Sequence, residues 1–135
     1  MAMGLSARAT FRPRSNLGQF IPAVITPAVT ASVKASCELI QTDAQALCPV
    51  DTGALRDSIQ ITLDTSGSTI VGRVGPTMYY AEYVEYGTGR RGGPAPYPHN
   101  MNWPGQKPQP YMRPAFDGAK QPVIDLFRSN ILLAL

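Results

Sequence analysis

The stretch IQITLDTSGSTIVGRV (residues 59–74) decides the fold. In its first part, Ile59, Ile61 and Leu63 alternate with polar residues, which is the period of a half-buried β-strand. The segment TSGS (residues 65–68) is made of turn-forming residues, and a second run rich in β-branched residues follows it. The stretch therefore predicts a β-hairpin.

Helices are predicted on both sides of this hairpin. Upstream, apolar residues recur at steps of three and four between Thr26-Pro27 and Pro49, which indicates one face of a long helix that starts at the first proline and ends at the second. Downstream, a second apolar pattern predicts a final helix, which Pro122 should kink or restart. The upstream face consists of Val29, Val33, Cys37, Ile40, Ala44 and Leu47, and the downstream pattern of Ala115, Phe116, Val123, Ile124, Phe127, Ile131 and Leu132.

Two short segments connect these elements. In PVDTGALRDSI (residues 49–59), Asp51 is placed to accept amide hydrogen bonds and Gly53 to relax the backbone, so a tight turn leading into a capped helical turn is predicted. The segment MYYAEYVEY (residues 78–86) predicts a short amphipathic helix with tyrosines on one face. Aromatic stacking on a ligand is the alternative for these tyrosines.

A long glycine- and proline-rich loop covers residues 87–110. Loops of more than about 15 residues inside a compact domain are generally functional or disordered, so we expect this one to reach a partner. The alternating prolines of PAPYP (residues 94–98) should hold its middle in an extended form, with Tyr97 and Trp103 as apolar contact points.

Length and charge limit the domain organisation. The chain has 135 residues, a length that favours one hydrophobic core. Its net charge of +3 does not by itself indicate a nucleic-acid binder. Residues 1–20 carry several arginines without an apolar period and predict a basic extended arm, with a frayed terminus as the alternative. Residues 21–135 are predicted to form a single domain.

Residues able to support catalysis or metal binding are scarce. His99, the single histidine, is expected in the exposed loop without a nearby acid, so nucleophilic catalysis is not expected. Cys37 and Cys48 would lie about 16 Å apart along one helix, too far for a disulfide, and have no further ligand at zinc spacing. No segment has the length and hydropathy of a membrane span, and unbridged thiols favour a cytoplasmic site of assembly.

Two further motif matches have simpler explanations. The glycines of residues 87–92 match G-x-G-x-x-G, but a proline run follows where a dinucleotide site needs a helix, so the match is taken as accidental. Glu82 and Glu85 imitate a paired-carboxylate site, and a solvated helix face explains them more simply.

Three segments together resemble the tailed-bacteriophage neck family, whose small proteins join head to tail and are also known as minor tail or tail-completion proteins. The segments are CPVDTGALRDSI (residues 48–59), VGPTMYYAEYVEYGTG (74–89) and QPYMRPAF (109–116), in the family's order and spacing. The long loop at 87–110 and the basic arm depart from the usual pattern, and they leave the neck layer open.

The resemblance implies an α+β subunit: a small antiparallel β-sheet flanked by a long N-terminal helix and a C-terminal helix. It also implies a homo-oligomeric ring, a hexamer or dodecamer, around the channel through which double-stranded DNA leaves the capsid. Expected partners are portal, adaptor, stopper, tail-terminator or tail-tube proteins. We therefore expect a non-enzymatic virion protein of the neck or tail, without cofactor or metal, assembled in the host cytoplasm.

Candidate contact residues follow from charge and aromatic character. Arg90, Arg91 and Lys107 could reach DNA phosphates from the loop without reading sequence, although these charges could equally serve solubility. Candidate subunit or ring contacts are Arg12, Arg14, Tyr79, Tyr97, Trp103, Tyr111 and Arg113.

Three alternative functions stay open at this point. A tail-terminator ring needs similar self-complementary edges, and a monomeric, sequence-independent DNA-binding module would also use the basic loop. The third alternative is a small hydrolase with Asp51 and Glu85 as acid and base.

Overall fold

The computed structural model of the chain describes residues 6–9, 21–65 and 69–134. The architecture is α+β, as the sequence predicted, with a small antiparallel sheet packed against a long helix. In chain order the elements are β1 (Ser6–Ala9), α1 (Ile21–Leu47), α2 (Ala54–Asp57), β2 (Gln60–Asp64), β3 (Ile70–Gly75), α3 (Ala81–Tyr86), a 3-10 helix (Gly89–Arg91), α4 (Met112–Gly118) and α5 (Lys120–Ala134).

The sheet contains the predicted hairpin and one further strand. β2 and β3 pair antiparallel with Ile61 opposite Val74, which confirms the hairpin. β1 pairs antiparallel with the other edge of β3, with Ser6 opposite Arg73, so the strand order is β1-β3-β2. The sheet therefore has one strand more than the predicted hairpin, and β3 is its central strand.

β1 could not be recognised from its own residues. Its sequence, Ser-Ala-Arg-Ala, has no alternation of large apolar side chains, so the strand is defined by the backbone it pairs with. The remainder of the predicted basic arm lies outside the described residues.

Helix α1 confirms the predicted long helix but differs at both ends. It begins at Ile21, so Pro27 lies inside the helix and is not its first residue. A proline there lacks the N–H of one helical hydrogen bond, a loss that this helix accommodates. At the other end Leu47, predicted on the buried face, is 51% exposed, and Cys48 is 5% exposed in its place.

α1 contacts the sheet most closely at Gly72 of β3. A Cβ atom on Gly72 would collide with Sγ of Cys37 and lie 2.8 Å from Cγ1 of Val33, so the helix and the strand can approach this closely only at a glycine. Burial, and secondarily Glu38, raises the pKa of the Cys37 thiol. Cys37 and Cys48 are both free thiols, in agreement with the spacing argument.

The C-terminal helix is divided into two, as the sequence predicted. The break lies at Ala119, so Pro122 falls in the first turn of α5, where its missing N–H costs no helical hydrogen bond. α5 packs on α1, and Nδ2 of Asn130 donates to Oγ of Ser32 at 3.0 Å. The side of α5 that faces away from α1 carries exposed Ile124, Leu132 and Leu133.

Candidate functional site

The loop of residues 87–110 folds back on itself and on α3. Thr88 and Gln106 form an antiparallel bridge with N–H to O distances of 3.0 and 3.1 Å. The sequence predicted a loop with an extended middle, and the structure adds that the loop is closed at its base. Contact of the loop with a partner stays a prediction. Other backbone bonds that hold it run from Arg90 to Trp103, from Gly93 to Tyr86 and from Gln109 to Val84.

Glycines explain how the two arms of the loop come together. Gly89 and Gly105 have φ angles of 62° and 65°, in the left-handed region that favours glycine. A Cβ on Gly89 would collide with the carbonyl oxygen of Trp103, and one on Gly105 with that of Thr88. The glycines that match a dinucleotide motif thus serve loop closure, and the helix at this place is a 3-10 helix, Gly89–Arg91, which lies between them.

Tyr97 attaches the middle of the loop to α3. Its hydroxyl lies 2.6 Å from the carbonyl oxygen of Gly87 and 3.1 Å from that of Glu82, and it donates a hydrogen bond shared between the two oxygens. The ring makes edge contacts with Tyr83 and Tyr86. Burial, and then the nearby Glu82 carboxylate, raises the pKa of Tyr97 to about 12. Tyr97 therefore holds this loop in place within the subunit, and its contact with a partner stays a prediction.

His99 fills the inside of the loop. Its Nε2 lies 2.6 Å from the carbonyl oxygen of Gly93, which can only accept, so Nε2 carries the proton. Nδ1 is buried without a hydrogen-bond partner among the described residues, and the ring packs on Gly92 and on the edge of Tyr97. The expectation of an exposed histidine was wrong, because the ring is half-buried.

The three candidate DNA contacts belong to this same folded loop. Arg90 and Arg91 are exposed on the 3-10 helix, and their backbone N–H groups donate to Trp103 and Pro104 at 2.9 and 3.0 Å. Lys107 is exposed directly after the bridge residue Gln106. Among the described residues, no salt bridge involves any of these three cations. Their charges are therefore available to an external anion.

Glu85 is the most important residue that the sequence interpretation missed. It was assigned to a solvated face, which was wrong, since the residue is 3% exposed. Its Oε2 accepts the backbone N–H groups of Tyr111 and Met112 at 2.8 and 3.0 Å, and its Oε1 accepts that of Arg113 at 3.0 Å. A carboxylate at this position satisfies the free N–H groups at the start of α4.

Tyr111 has no exposed surface to offer a neighbouring subunit. It is 0% exposed, and its hydroxyl lies 3.5 Å from the carbonyl oxygen of Ala81. Burial, and to a lesser degree Cys48 and Glu85, raises the pKa of this hydroxyl above its ordinary value. The tyrosine that was predicted as a ring contact thus forms part of the core under α3.

The turn before α2 differs from prediction in its capping residue. Gly53 has a φ of 86°, which confirms the predicted relaxed backbone. Asp51, predicted to accept amide hydrogen bonds, is exposed and makes no cap bond to α2, whereas Oγ1 of Thr52 accepts the N–H of Ala54 at 3.3 Å. Asp51 is therefore free to contact something other than its own helix.

This turn forms one wall of a groove of about 330 Å³. The second wall is α3, and the base of the loop closes one side. Asp51 is the only charged residue that lines the groove. Glu85 is buried with both oxygens occupied, so it does not form an accessible acid–base pair with Asp51, and the hydrolase alternative loses its basis. The lining consists of residues 49–55, Tyr80, Val84, Gln106 and Gln109.

The remaining predicted contacts are distributed over the surface. Tyr79 precedes α3 and is 81% exposed, and Trp103 is 51% exposed in the loop. Arg113 is exposed at the start of α4, beside the residues that Glu85 caps. Arg12 and Arg14 lie outside the described residues.

Within residues 6–9, 21–65 and 69–134, no three histidine, cysteine, aspartate or glutamate side chains lie where they could share a metal ion. None of the helices in the described part of the chain combines the length and hydropathy that crossing a membrane requires.

A comparison with protein families gives a match. A family model described as "Bacteriophage HK97-gp10, putative tail-component" matches residues 15–87, more than half of the 135-residue chain. No curated protein and no solved structure matches. The matched part contains α1, the turn before α2, the predicted hairpin and α3, and it ends where the long loop begins.

Proposed function

Because the chain belongs to the HK97-gp10-like family of bacteriophage tail components, we propose that it is a structural protein of the head-to-tail connection of a tailed bacteriophage. Copies of the chain form a ring around the DNA exit channel and join the capsid connector to the tail. The ring contacts portal-side proteins on one face and tail-terminator or tail-tube proteins on the other. The observation that carries this proposal is the family match over residues 15–87.

The surface of the subunit supports an assembly role. Large apolar side chains are exposed on three separate parts of the fold: Tyr79 before α3, Trp103 in the loop and Leu133 in α5 are 81%, 51% and 86% exposed. Tyrosine and tryptophan are enriched at protein–protein interfaces relative to the rest of the surface. A subunit that is surrounded by copies and neighbours would cover these side chains.

The loop supports a position next to DNA. Arg90, Arg91 and Lys107 lie on a loop whose backbone is hydrogen-bonded at its base. Ordering these residues when DNA binds therefore costs less entropy than ordering residues of a flexible segment. Contacts of this kind attract phosphates regardless of sequence. A channel that passes any genome needs this property.

Purified particles of the parent phage provide the test of the assembly role. Cryo-electron microscopy should show this chain as a ring at the head-to-tail junction. Absence of the chain from mature particles, or a location away from the junction, would refute the proposal. A ring at the tail end of the junction would instead identify a tail terminator.

The DNA contact is tested by a separate experiment that compares two variants, each lacking three positive charges. The triple variant Arg90→Gln, Arg91→Gln, Lys107→Gln should lower genome retention, whereas a control with three other exposed cations replaced, Lys34→Gln, Arg73→Gln and Lys120→Gln, should not. Equal retention in both variants would show that the loop does not face DNA.

The exposed cations of the loop also favour a second candidate, a monomeric DNA-binding module. Such a module would lose affinity steeply as salt is raised, because each neutralised phosphate releases counterions. A titration of the isolated chain with double-stranded DNA at several salt concentrations, combined with light scattering, separates a monomeric binder from a ring subunit.

A further inference from the structure

Helix α5 carries an exposed stripe with the cation Arg128 in its middle, and the exposed Asp125 beside the stripe accepts a hydrogen bond from Gln121. Ile124, Arg128 and Leu132 follow each other at intervals of four residues, so they lie on one face of the helix. Ile124 is 49% exposed and Leu132 is 66% exposed, and Arg128 between them is also exposed. Leu133, 86% exposed, lies about 100° around the helix axis from Leu132, outside the stripe. No residue of α5 is fully buried in the subunit.

The groove between the turn and α3 has the opposite charge and a similar apolar character. Pro49, Val50, Tyr80 and Val84 contribute apolar surface, and Val50 is 57% exposed. Asp51 contributes the single charge of the lining. A volume of about 330 Å³ is within the range of clefts that hold ligands, and here it is open to a side chain from outside.

We propose that the groove of one copy receives the α5 stripe of the next copy, with Arg128 of the stripe beside Asp51 of the groove. This inference rests on the proposed ring, and it names the two surfaces that join its subunits. Ile124 and Leu132 contact the apolar walls of the groove, and the ion pair fixes the position of the helix along it. The contact is of the heterologous kind, in which one surface meets a different surface, as closed rings require.

Charge favours the contact of groove against stripe over the symmetric alternatives. A contact of groove against groove can place Asp51 near Asp51 of the next copy, and a contact of stripe against stripe can place Arg128 near Arg128. Like charges brought together in this way oppose the contact, whereas groove against stripe pairs opposite charges. Within the described residues neither Asp51 nor Arg128 takes part in a salt bridge, so both are available for a partner.

The placement of the two surfaces permits a continuing chain of contacts. The stripe belongs to α5, which packs on α1 and α4, whereas the groove is formed by the segment after α1, by α3 and by the base of the loop. Each copy can therefore use its stripe on one neighbour and its groove on another. Ring closure then depends only on the rotation between neighbours.

The test is a charge exchange in the full chain, with sedimentation velocity over a range of concentrations up to about 1 mM, which covers weak self-association. Asp51→Arg and Arg128→Asp should each weaken self-association about tenfold, and the double variant should recover most of the loss. Leu132→Asp should weaken it more than either. The controls Glu38→Arg and Lys34→Asp make the same charge changes on the exposed side of α1 and should have no effect.

The outcomes separate this inference from the proposed function. A wild-type chain that stays monomeric, single variants that associate like the wild type, or a double variant as weak as the singles would each overturn the contact. Circular dichroism of every variant excludes unfolding as the cause of a loss. The proposed function depends on incorporation into particles at the head-to-tail junction, which is measured separately and can hold while this contact fails.

Discussion

The carboxylate of Glu85, in α3, accepts the backbone N–H of Tyr111 at 2.8 Å, although the two residues are 26 positions apart. This bond holds the residue after the long loop against α3, and the bridge between Thr88 and Gln106 joins the two arms of the loop at its base. The loop, α3 and the start of α4 thus form one hydrogen-bonded unit around a single buried carboxylate.

Loss of the Glu85 carboxylate should destabilise the whole domain. Glu85→Ala leaves three N–H groups at the start of α4 without an acceptor, two of them buried. We expect the free energy of unfolding to fall by roughly 2–4 kcal/mol, because unsatisfied buried donors are costly. Urea unfolding measures this change. The control Glu82→Ala, whose carboxylate makes no hydrogen bond among the described contacts, should change stability by less than about 0.5 kcal/mol.

Closure of the loop should depend on glycine at position 89. Gly89→Ala introduces a Cβ at a φ of 62° and against the carbonyl oxygen of Trp103. We expect a local cost of about 1–3 kcal/mol, and hence at least a tenfold faster hydrogen exchange of the Arg90 and Gln106 amides. Gly118→Ala is the matched control, since a Cβ there meets nothing within 4 Å. Unchanged hydrogen exchange in Gly89→Ala would show that the two arms of the loop are too far apart in solution for the new Cβ to collide.

Stability should fall in alkaline solution as Tyr97 ionises. Its pKa is about 12 in the folded chain, against about 10 in an unfolded chain, so the folded state holds the phenolic proton more tightly. This contribution is complete below pH of about 10 and is lost as the pH rises toward about 12. Tyr111 adds to the same loss, since burial raises its pKa as well. Melting temperatures between pH 9 and 11.5 should therefore decrease.

Tyr97→Phe should show how much of this alkaline effect belongs to Tyr97. At neutral pH the variant should lose about 1–2 kcal/mol, because two carbonyl oxygens lose their hydrogen-bond donor. Its melting temperature should then depend less on pH than that of the wild type. Tyr79→Phe, at a side chain that is 81% exposed, should leave both properties unchanged, and an identical pH slope in all three proteins would contradict the assignment.

Contact between α1 and the sheet should require a small residue at position 72. In Gly72→Ala the new Cβ meets Sγ of Cys37 and Cγ1 of Val33, so we expect a loss of about 1–3 kcal/mol from overpacking. Cys37→Ala in the same chain removes one of these atoms. The double variant should therefore be more stable than the sum of the two single changes predicts. Strict additivity in urea unfolding would indicate that helix and strand move apart instead.

The features predicted from sequence are those that depend on local pattern. The spacing of Val29, Val33 and Cys37 marks the buried face of α1, and the alternation around Ile61 marks the hairpin, because side-chain periodicity follows directly from backbone geometry. The left-handed conformation of Gly53 follows from its residue type.

The features that were missed depend on contacts between distant residues. β1 is defined by its pairing with β3, and its own residues have no pattern that predicts a strand. Glu85 caps α4 from another helix, although helix caps are normally sought next to the helix they serve. A signal was present, since Glu85 follows Ala81 by four residues on the buried face of α3, where a carboxylate needs a partner.

The bridge at Thr88 and Gln106 has a consequence for how this molecule can change over evolutionary time. The bridge fixes the base of the loop. The number of residues between the two bridge positions can therefore increase or decrease without moving the helices on either side. Substitutions, insertions or deletions in this segment could adapt the protein to a new partner while the rest of the fold stays the same.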